Sequence, residues 1–460
     1  MSVDNYPTPH RRGMLILAVD FVIFFLLLKF LPFSANENRG LALLVFVGVL
    51  WLTEAFNITI TALMVPIFAV LLGVSNTQQA FAPFSNPIIF MFLGGFVIAA
   101  VLSIQKIDLW IAQHIIRLAK GRLKTTIIYL FGATAALSMF INNVAVTAMM
   151  LPLAIGILSK IEITKNRRLY AFVLLGIAYS ASIGGIGTLV GSTPNALLAS
   201  LTNISFVDFL PYGMPVMLLL FPTCILAMAV VLRPNFNVDF AVEMEEIPMT
   251  RPRKITLAIF ALFAFMLIFS KLVEPLISGL MGIPTIKNFD SLTSMFIVVL
   301  ICVSGVAHWK QIQQETEWGI LLLFGGGLVL SNLLQSTGAS KILADGIMAI
   351  ADGQHLLVVT LILAAFIVFL TEFTSNTASA ALLMPIFISV ATSLNLSTVG
   401  LAEIIAAGAS CAFMLPIATP PNAMVFATGH IRQSEMAKIG FYMNIGAILI
   451  IGGLAYFFWI

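Results

Sequence analysis

Two short polar stretches lie inside the apolar body of this chain and hold the residues able to do chemistry. One is Thr371-Glu372-Phe373-Thr374-Ser375-Asn376-Thr377-Ala378-Ser379-Ala380-Ala381, set between apolar runs at 357–370 and 382–390. The other, Ser138-Met139-Phe140-Ile141-Asn142-Asn143-Val144-Ala145-Val146-Thr147-Ala148, has the same setting. Each flanking run is shorter than the roughly 20 residues a helix needs to cross a bilayer. The pattern reads as a helix that enters, turns on a polar tip and leaves by the side it came from. Hydroxyls and amides at such a tip can hold a small cation or an anion without the cost of an unpaired buried charge. Irregular backbone at that depth survives only where protein or a water-filled cavity covers it.

The two stretches belong to an ordered set of landmarks. A Pro follows the central Asn in each copy, Pro152 after Asn143 and Pro385 after Asn376. Glycine clusters precede them, Leu93-Gly94-Gly95 and Phe324-Gly325-Gly326-Gly327. Pro-Asn breaks follow, Gly191-Ser192-Thr193-Pro194-Asn195 and Ala418-Thr419-Pro420-Pro421-Asn422. Four landmarks recurring in one order define an internal repeat. Paired interrupted segments in corresponding halves point to a transporter's binding site. Pro removes a backbone donor and unwinds a span. Freed carbonyls can then face a cation while a helix N-terminus faces an anion. No Lys or Arg lies near either tip or break, so an anion there must be met by amides, hydroxyls and bound cations.

Other readings are weaker. Asn, Ser and Thr can simply join helices by hydrogen bonds, but that does not explain two tips each paired with a break. Gly185-Ile186-Gly187-Thr188-Leu189-Val190-Gly191 imitates a dinucleotide loop, yet it has no strand–turn–helix context. An intramembrane hydrolase needs a nucleophile beside a base, and Ser192 and Ser375 have no His or Lys in any nearby motif. A channel does not need repeated occluding tips. Asp20, Glu54 and Glu372 are intramembrane or near-membrane carboxylates, hence candidate proton relays, with Glu372 beside the tip the foremost.

Composition sets the class. The chain has 460 residues, 60% hydrophobic and 9% charged, against about 25% charged in soluble domains. This is an all-α polytopic membrane protein. Its net charge of +3 is small and dispersed, and no basic run with interleaved aromatics suggests nucleic acid. Cys224, Cys302 and Cys411 lie in apolar runs at wide spacing, as core thiols. The run 14–32 after Arg11-Arg12 is longer than a signal core, so it reads as an uncleaved first span.

Apolar runs predict spans near 14–32, 41–55, 58–74, 87–104, 168–203 (broken), 211–232, 254–273, 291–306, 318–336, 400–430 (broken) and 438–459. Hairpins fall at about 124–160 and about 356–393. Amphipathic stretches at 106–120 and 339–351 show helical spacing and suit the interface. The domains expected are an N-terminal span, 1–40, a first repeat, 41–235, a polar linker, 236–253, and a second repeat, 254–460. With the N-terminus inside, eighteen Lys and Arg fall on the cytoplasmic side and five outside, as the positive-inside rule requires. Eleven spans and two re-entrant hairpins result. Five spans per repeat is odd, so the repeats are inverted, with the first hairpin entering from the cytoplasm and the second from outside.

As a set, Ser375-Asn376-Thr377, both Pro-Asn breaks, Leu322-Leu323-Phe324-Gly325-Gly326-Gly327 and Thr428-Gly429-His430-Ile431-Arg432-Gln433-Ser434-Glu435-Met436 resemble the divalent-anion/sodium symporter family, most closely the bacterial INDY-type dicarboxylate transporters. The resemblance covers nearly the whole chain. It implies a homodimer in the cell inner (plasma) membrane, a scaffold domain, and a transport domain that carries both hairpins and both broken spans as an elevator. It implies sodium-driven import of a C4-type dicarboxylate such as succinate, malate or fumarate, with no organic cofactor. Alternatives are sodium-independent dicarboxylate exchange or another divalent anion. By resemblance, one sodium site uses Ser138, Asn142, Asn143 and Gly191. A second uses Thr371, Thr374, Asn376 and Ala418. Substrate carboxylates meet Asn143, position 144, Ser192, Asn376, Thr377 and the backbone near Pro420.

The first tip departs from the family, reading Asn142-Asn143-Val144 where Ser-Asn-Thr is usual. The Asn142 carbonyl can ligate sodium, or its amide can donate where sodium would sit. The longer side chain and the lost hydroxyl at Val144 favour the second, so a weakened first sodium site and fewer coupled ions are expected.

Overall fold

A computed structural model describes residues 11–117, 122–159, 161–236, 247–351 and 354–460. Among these residues there are helices and loops and no strand. The heart of the expected linker, with Glu243, Glu245 and Glu246, lies outside the described residues, as do Lys120 and Lys160.

The first helices are α1 (Arg11–Phe30), α2 (Ala35–Thr53) and α3 (Ile58–Leu71). A short α4 (Thr77–Phe81) leads to α5 (Pro87–Ile104) and the amphipathic α6 (Ile107–Arg117). The first hairpin is α7 (Leu123–Ser138) and α8 (Asn143–Leu158). The broken span is α9 (Ile163–Ile186) and α10 (Thr193–Thr202), followed by α11 (Phe206–Leu232). Then come α12 (Arg251–Ile268), α13 (Ser270–Met281), α14 (Phe289–Ser304), a short α15 (Trp309–Glu315), α16 (Trp318–Thr337) and amphipathic α17 (Ala339–Ala351). The second hairpin is α18 (Leu356–Leu370) and α19 (Asn376–Leu394). The second broken span is α20 (Thr398–Ala409) and α21 (Pro420–Phe426), and α22 (Gln433–Leu454) closes the chain with a π turn.

Among the described residues six helices are long and apolar enough to cross a membrane singly, seven if the bent pair α12–α13 is one span. The hairpin arms and α3, α14 and α20 are shorter apolar helices. Hydropathy marks these pieces well because each is a continuous apolar run, and caps mark their ends. Asn57, Asn86, Ser192, Ser205, Ser375, Ser397 and Thr419 each accept a first-turn N–H, the preferred N-cap chemistry.

One expected span differs. The run 254–273 is bent by 93° between α12 and α13. Leu272, Leu276 and Leu280 recur at helical spacing and stay exposed beside Lys271 and Glu274. A helix with one apolar face and one charged face lies along an interface rather than through it.

Packing divides along these elements. α5 lies along α14 and α3 along α16. α7 and α8 rest on α9, α18 on α20 and α22, and α19 on α20. The glycine cluster brings α16 close to α3: a Cβ on Gly326 would come within 2.6 Å of Ala62 O, the close approach small residues permit between membrane helices.

Candidate functional site

The first tip is the turn between α7 and α8. Asn142 caps α8, its Oδ1 accepting from Val144 N at 2.8 Å. At the second tip Ser375 does this job for α19, accepting from Ala378 N at 3.2 Å. Asn142 thus stands in for a capping hydroxyl, and its carbonyl is engaged by the helix it starts.

The two breaks are built alike. Ser192 (φ −140°, ψ 149°) and Thr419 (φ −141°, ψ 149°) are extended N-caps. Their hydroxyls accept from Asn195 N at 3.4 Å and Asn422 N at 3.2 Å. Pro194 and Pro421 sit in the first turn of the helix that follows, where the missing N–H costs nothing. Behind each Pro, the buried Asn braces the unwound backbone. Asn195 Nδ2 donates to Gly185 O, Ile186 O and Thr188 O, and Asn422 Nδ2 to Ala412 O and Leu415 O.

The four features meet. Asn142, Asn143, Val144, Gly191, Ser192, Thr193, Pro194, Ser375, Asn376, Thr377, Ala418, Thr419 and Pro420 line one cavity of about 470 Å³. Helices α8, α10, α19 and α21 all begin there, so their first-turn N–H groups and positive dipole ends face the space. No Lys, Arg or His is among the described residues lining it. Glu54, Asn57, Glu317 and Ile320, from the α2–α3 turn and the start of α16, line it too. Polar donors with no fixed positive charge suit an anion only if cations accompany it.

Oxygen clusters lie behind each tip. The inward atom of the Asn143 amide is 2.7 Å from Ser138 Oγ, 3.1 Å from Ala181 O and 3.3 Å from Gly191 O. With Nδ2 inward the amide donates to all three. With Oδ1 inward it meets oxygens alone, a ligand set for a hard cation. At the second tip Thr371 Oγ1 is 2.8 Å from Asn376 Oδ1 and 2.9 Å from Ala409 O. One hydroxyl hydrogen cannot serve both acceptors, so oxygen again gathers around one point. These residues fit sodium in donor type. Thr374 stands apart from the cavity lining: its hydroxyl bonds Ser379 Oγ at 2.5 Å and Leu370 O at 3.1 Å.

The carboxylates divide. Glu372 is buried and accepts from Phe413 N, Met414 N, Leu415 N and Asn444 Nδ2. Successive backbone N–H groups form a concavity for an anion, and this one is filled by the chain's own carboxylate. Glu372 therefore bolts the second tip to the second break. At the first tip Thr188 Oγ1 donates to Met139 O instead. Asp20 is buried in α1, distant in sequence from these groups, and Glu54 is exposed at the cavity wall. Sequence reasoning named Glu54 as a candidate relay and placed Asn195 and Asn422 in the break motifs without their bracing role; it missed the carbonyl of Ala181 and the lining residues Asn57 and Glu317. The braces were signalled by their place beside the break prolines.

Residues 48–408 match the citrate transporter family. The chain belongs to that family. An uncharacterized transporter of Haemophilus influenzae is 53% identical over 98% of both chains. A sodium-dependent dicarboxylate transporter, SdcS, of Staphylococcus saprophyticus is 30% identical over 98% of this chain and 92% of its own. The YdaH transporter of Alcanivorax borkumensis, whose crystal structure is known, shares the fold with a TM-score of 0.59, 15% identity and 97% of each chain covered. The protein is thus a multi-pass membrane protein and a secondary transporter of the dicarboxylate/citrate class, not an enzyme.

Proposed function

We propose that this chain imports C4-type dicarboxylates such as succinate, malate or fumarate by sodium symport. The observation that carries the reading is the single cavity where four helix N-termini meet two oxygen clusters without a basic side chain. The sodium-dependent relative supports the same coupling. In this reading Asn143 and Asn376 each serve a cation behind the tip and a carboxylate in front of it. Ser138, Ala181 O and Gly191 O complete the first cation set; Thr371 with the carbonyls near Thr374 and Ala418 completes the second. Ser192, Thr377 and the backbone at Pro420 receive the carboxylates. Val144 contributes shape alone. Bound sodium supplies the positive charge that the lining lacks.

The two tips with their two breaks belong, on this view, to inverted repeats at 41–235 and 254–460, joined by the linker 236–253 and preceded by the span 1–40. Eleven spans and two hairpins follow, with the N-terminus in the cytoplasm and the protein in the cell inner membrane. The body carrying both hairpins and both broken spans moves as an elevator against α2, α3, α5, α14 and α16, in a homodimer. Uptake of labelled succinate into proteoliposomes, with and without an inward sodium gradient, tests the coupling. Uptake that needs the gradient supports it. Uptake that needs internal dicarboxylate and ignores sodium identifies an exchanger instead.

A further inference from the structure

The first tip has lost two hydroxyls relative to the second, Asn142 for Ser375 and Val144 for Thr377. One hydroxyl close by is unaccounted for. Ser182, on α9, lines the same cavity as Asn143 and Gly191. It is 1% exposed, and its Oγ has no hydrogen-bond partner. A buried hydroxyl without a partner costs free energy, a cost that a ligand in the cavity would relieve.

Its position says what. Ser182 directly follows Ala181, whose carbonyl is 3.1 Å from the Asn143 amide. It lies three residues before Gly185, where an added Cβ would meet Asn143 Oδ1 at 2.5 Å and Gly191 O at 2.8 Å. Residues three apart share a helix face. Ser182 therefore stands on the face of α9 that receives Asn143. The other half provides a control. The offset of 227 that pairs Ser192 with Thr419, Gly191 with Ala418 and Asn195 with Asn422 pairs Ser182 with Ala409. At this equivalent position the half with both tip hydroxyls has an alanine, and the half without them has a serine.

We infer that Ser182 Oγ is a further oxygen ligand of the first cation site. It takes the place of the hydroxyl lost at Asn142, whose own carbonyl is committed to capping α8. The inference rests on the sodium-coupled reading above. It also opposes the expectation drawn from the tip alone, that the first site is weak. A buried, unpartnered oxygen at the wall of this cavity suits a hard cation, which takes oxygen ligands.

The test uses purified full-length protein in detergent and follows sodium-dependent thermal stabilisation, with potassium as control and no substrate present. Ser182→Ala is expected to raise the half-saturating sodium concentration about tenfold, as loss of one ligand tunes hard-cation sites, with the melting point in potassium unchanged. Asn142→Ser added to Ser182→Ala is expected to bring it back towards the parent. The inference is overturned if Ser182→Ala keeps the parent's half-saturation. A parent showing no sodium stabilisation at all overturns the sodium reading itself, and the inference with it. If Ser182→Ala melts lower in potassium too, ²²Na binding at a temperature where it is folded decides by the same criterion.

Discussion

Glu372 is either a strut or a proton relay, and Glu372→Gln separates the two. Oε1 accepts from Phe413 N (2.8 Å), Met414 N (2.9 Å) and Asn444 Nδ2 (2.8 Å), and Oε2 from Met414 N (3.1 Å) and Leu415 N (3.2 Å). Gln keeps the size but exchanges one oxygen for an NH2 group. The better orientation keeps oxygen at the more crowded Oε1 position and turns NH2 against Met414 N and Leu415 N. That loses one bond to a charged group and leaves a buried donor facing donors, together about 3 kcal/mol. Glu372→Ala strands three backbone N–H groups and the Asn444 amide, and should cost about 5 kcal/mol, the scale of breaking a buried ionic network. Thermal melting of the purified protein should therefore fall by several degrees for Gln and further for Ala. Succinate uptake by the folded fraction of Glu372→Gln should keep the parent's pH profile. A Gln variant that melts like the parent while its pH profile flattens would refute the strut and restore the relay.

Asn376→Ala should abolish succinate uptake in proteoliposomes, because the amide serves both cation and substrate; normal uptake would place the site elsewhere. Thr377→Val should weaken succinate binding by one hydrogen bond to a charged group, about 1.5–3 kcal/mol, read as a raised KM. Gly185→Ala should push the Asn143 amide out of its cluster, since the new Cβ would sit 2.5 Å from Oδ1; sodium-dependent stabilisation should fall sharply while expression persists. A single cysteine at position 2 should react with an impermeant reagent only in opened cells, and labelling in intact cells would reverse the assigned topology.

Much of the architecture was legible. The helices fall on the apolar runs, with Pro87–Ile104 and Ala339–Ala351 matching their expected bounds. Both tips and both breaks stand where unlike residues interrupt apolar runs. The bend at Phe269 was not legible from hydropathy, because α12 and α13 are both apolar on average and differ in how the apolar residues are spread around the helix. Short helices such as Thr77–Phe81 and Trp309–Glu315 lie in connections, where polar composition alone reads as loop. Glu372 was recognised as a carboxylate near the tip, but its partners come from residues 413–415 and 444, and only tertiary packing brings those to it.

The residues between legible and illegible lie on α9. The run Gly185-Ile186-Gly187-Thr188-Leu189-Val190-Gly191, which imitates a dinucleotide loop, begins there, and its glycines read instead as allowing close helix packing. The contacts show what that packing sets. A Cβ on Gly176 would strike the Phe131 ring, one on Gly184 would strike Ala135 O at 2.2 Å, and one on Gly185 would strike the Asn143 amide. Phe131 and Ala135 are on α7, and Asn143 opens α8 just past the tip. The glycines thus fix how far the first hairpin sinks onto α9. That depth places the Asn143 amide against Ala181 O and Gly191 O, and puts Ser182 on the receiving face. A glycine pattern that looks like mere closeness in sequence becomes a register for the site once its partners are known, because an added methyl at Gly184 or Gly185 cannot be absorbed by a rotamer change in a backbone carbonyl.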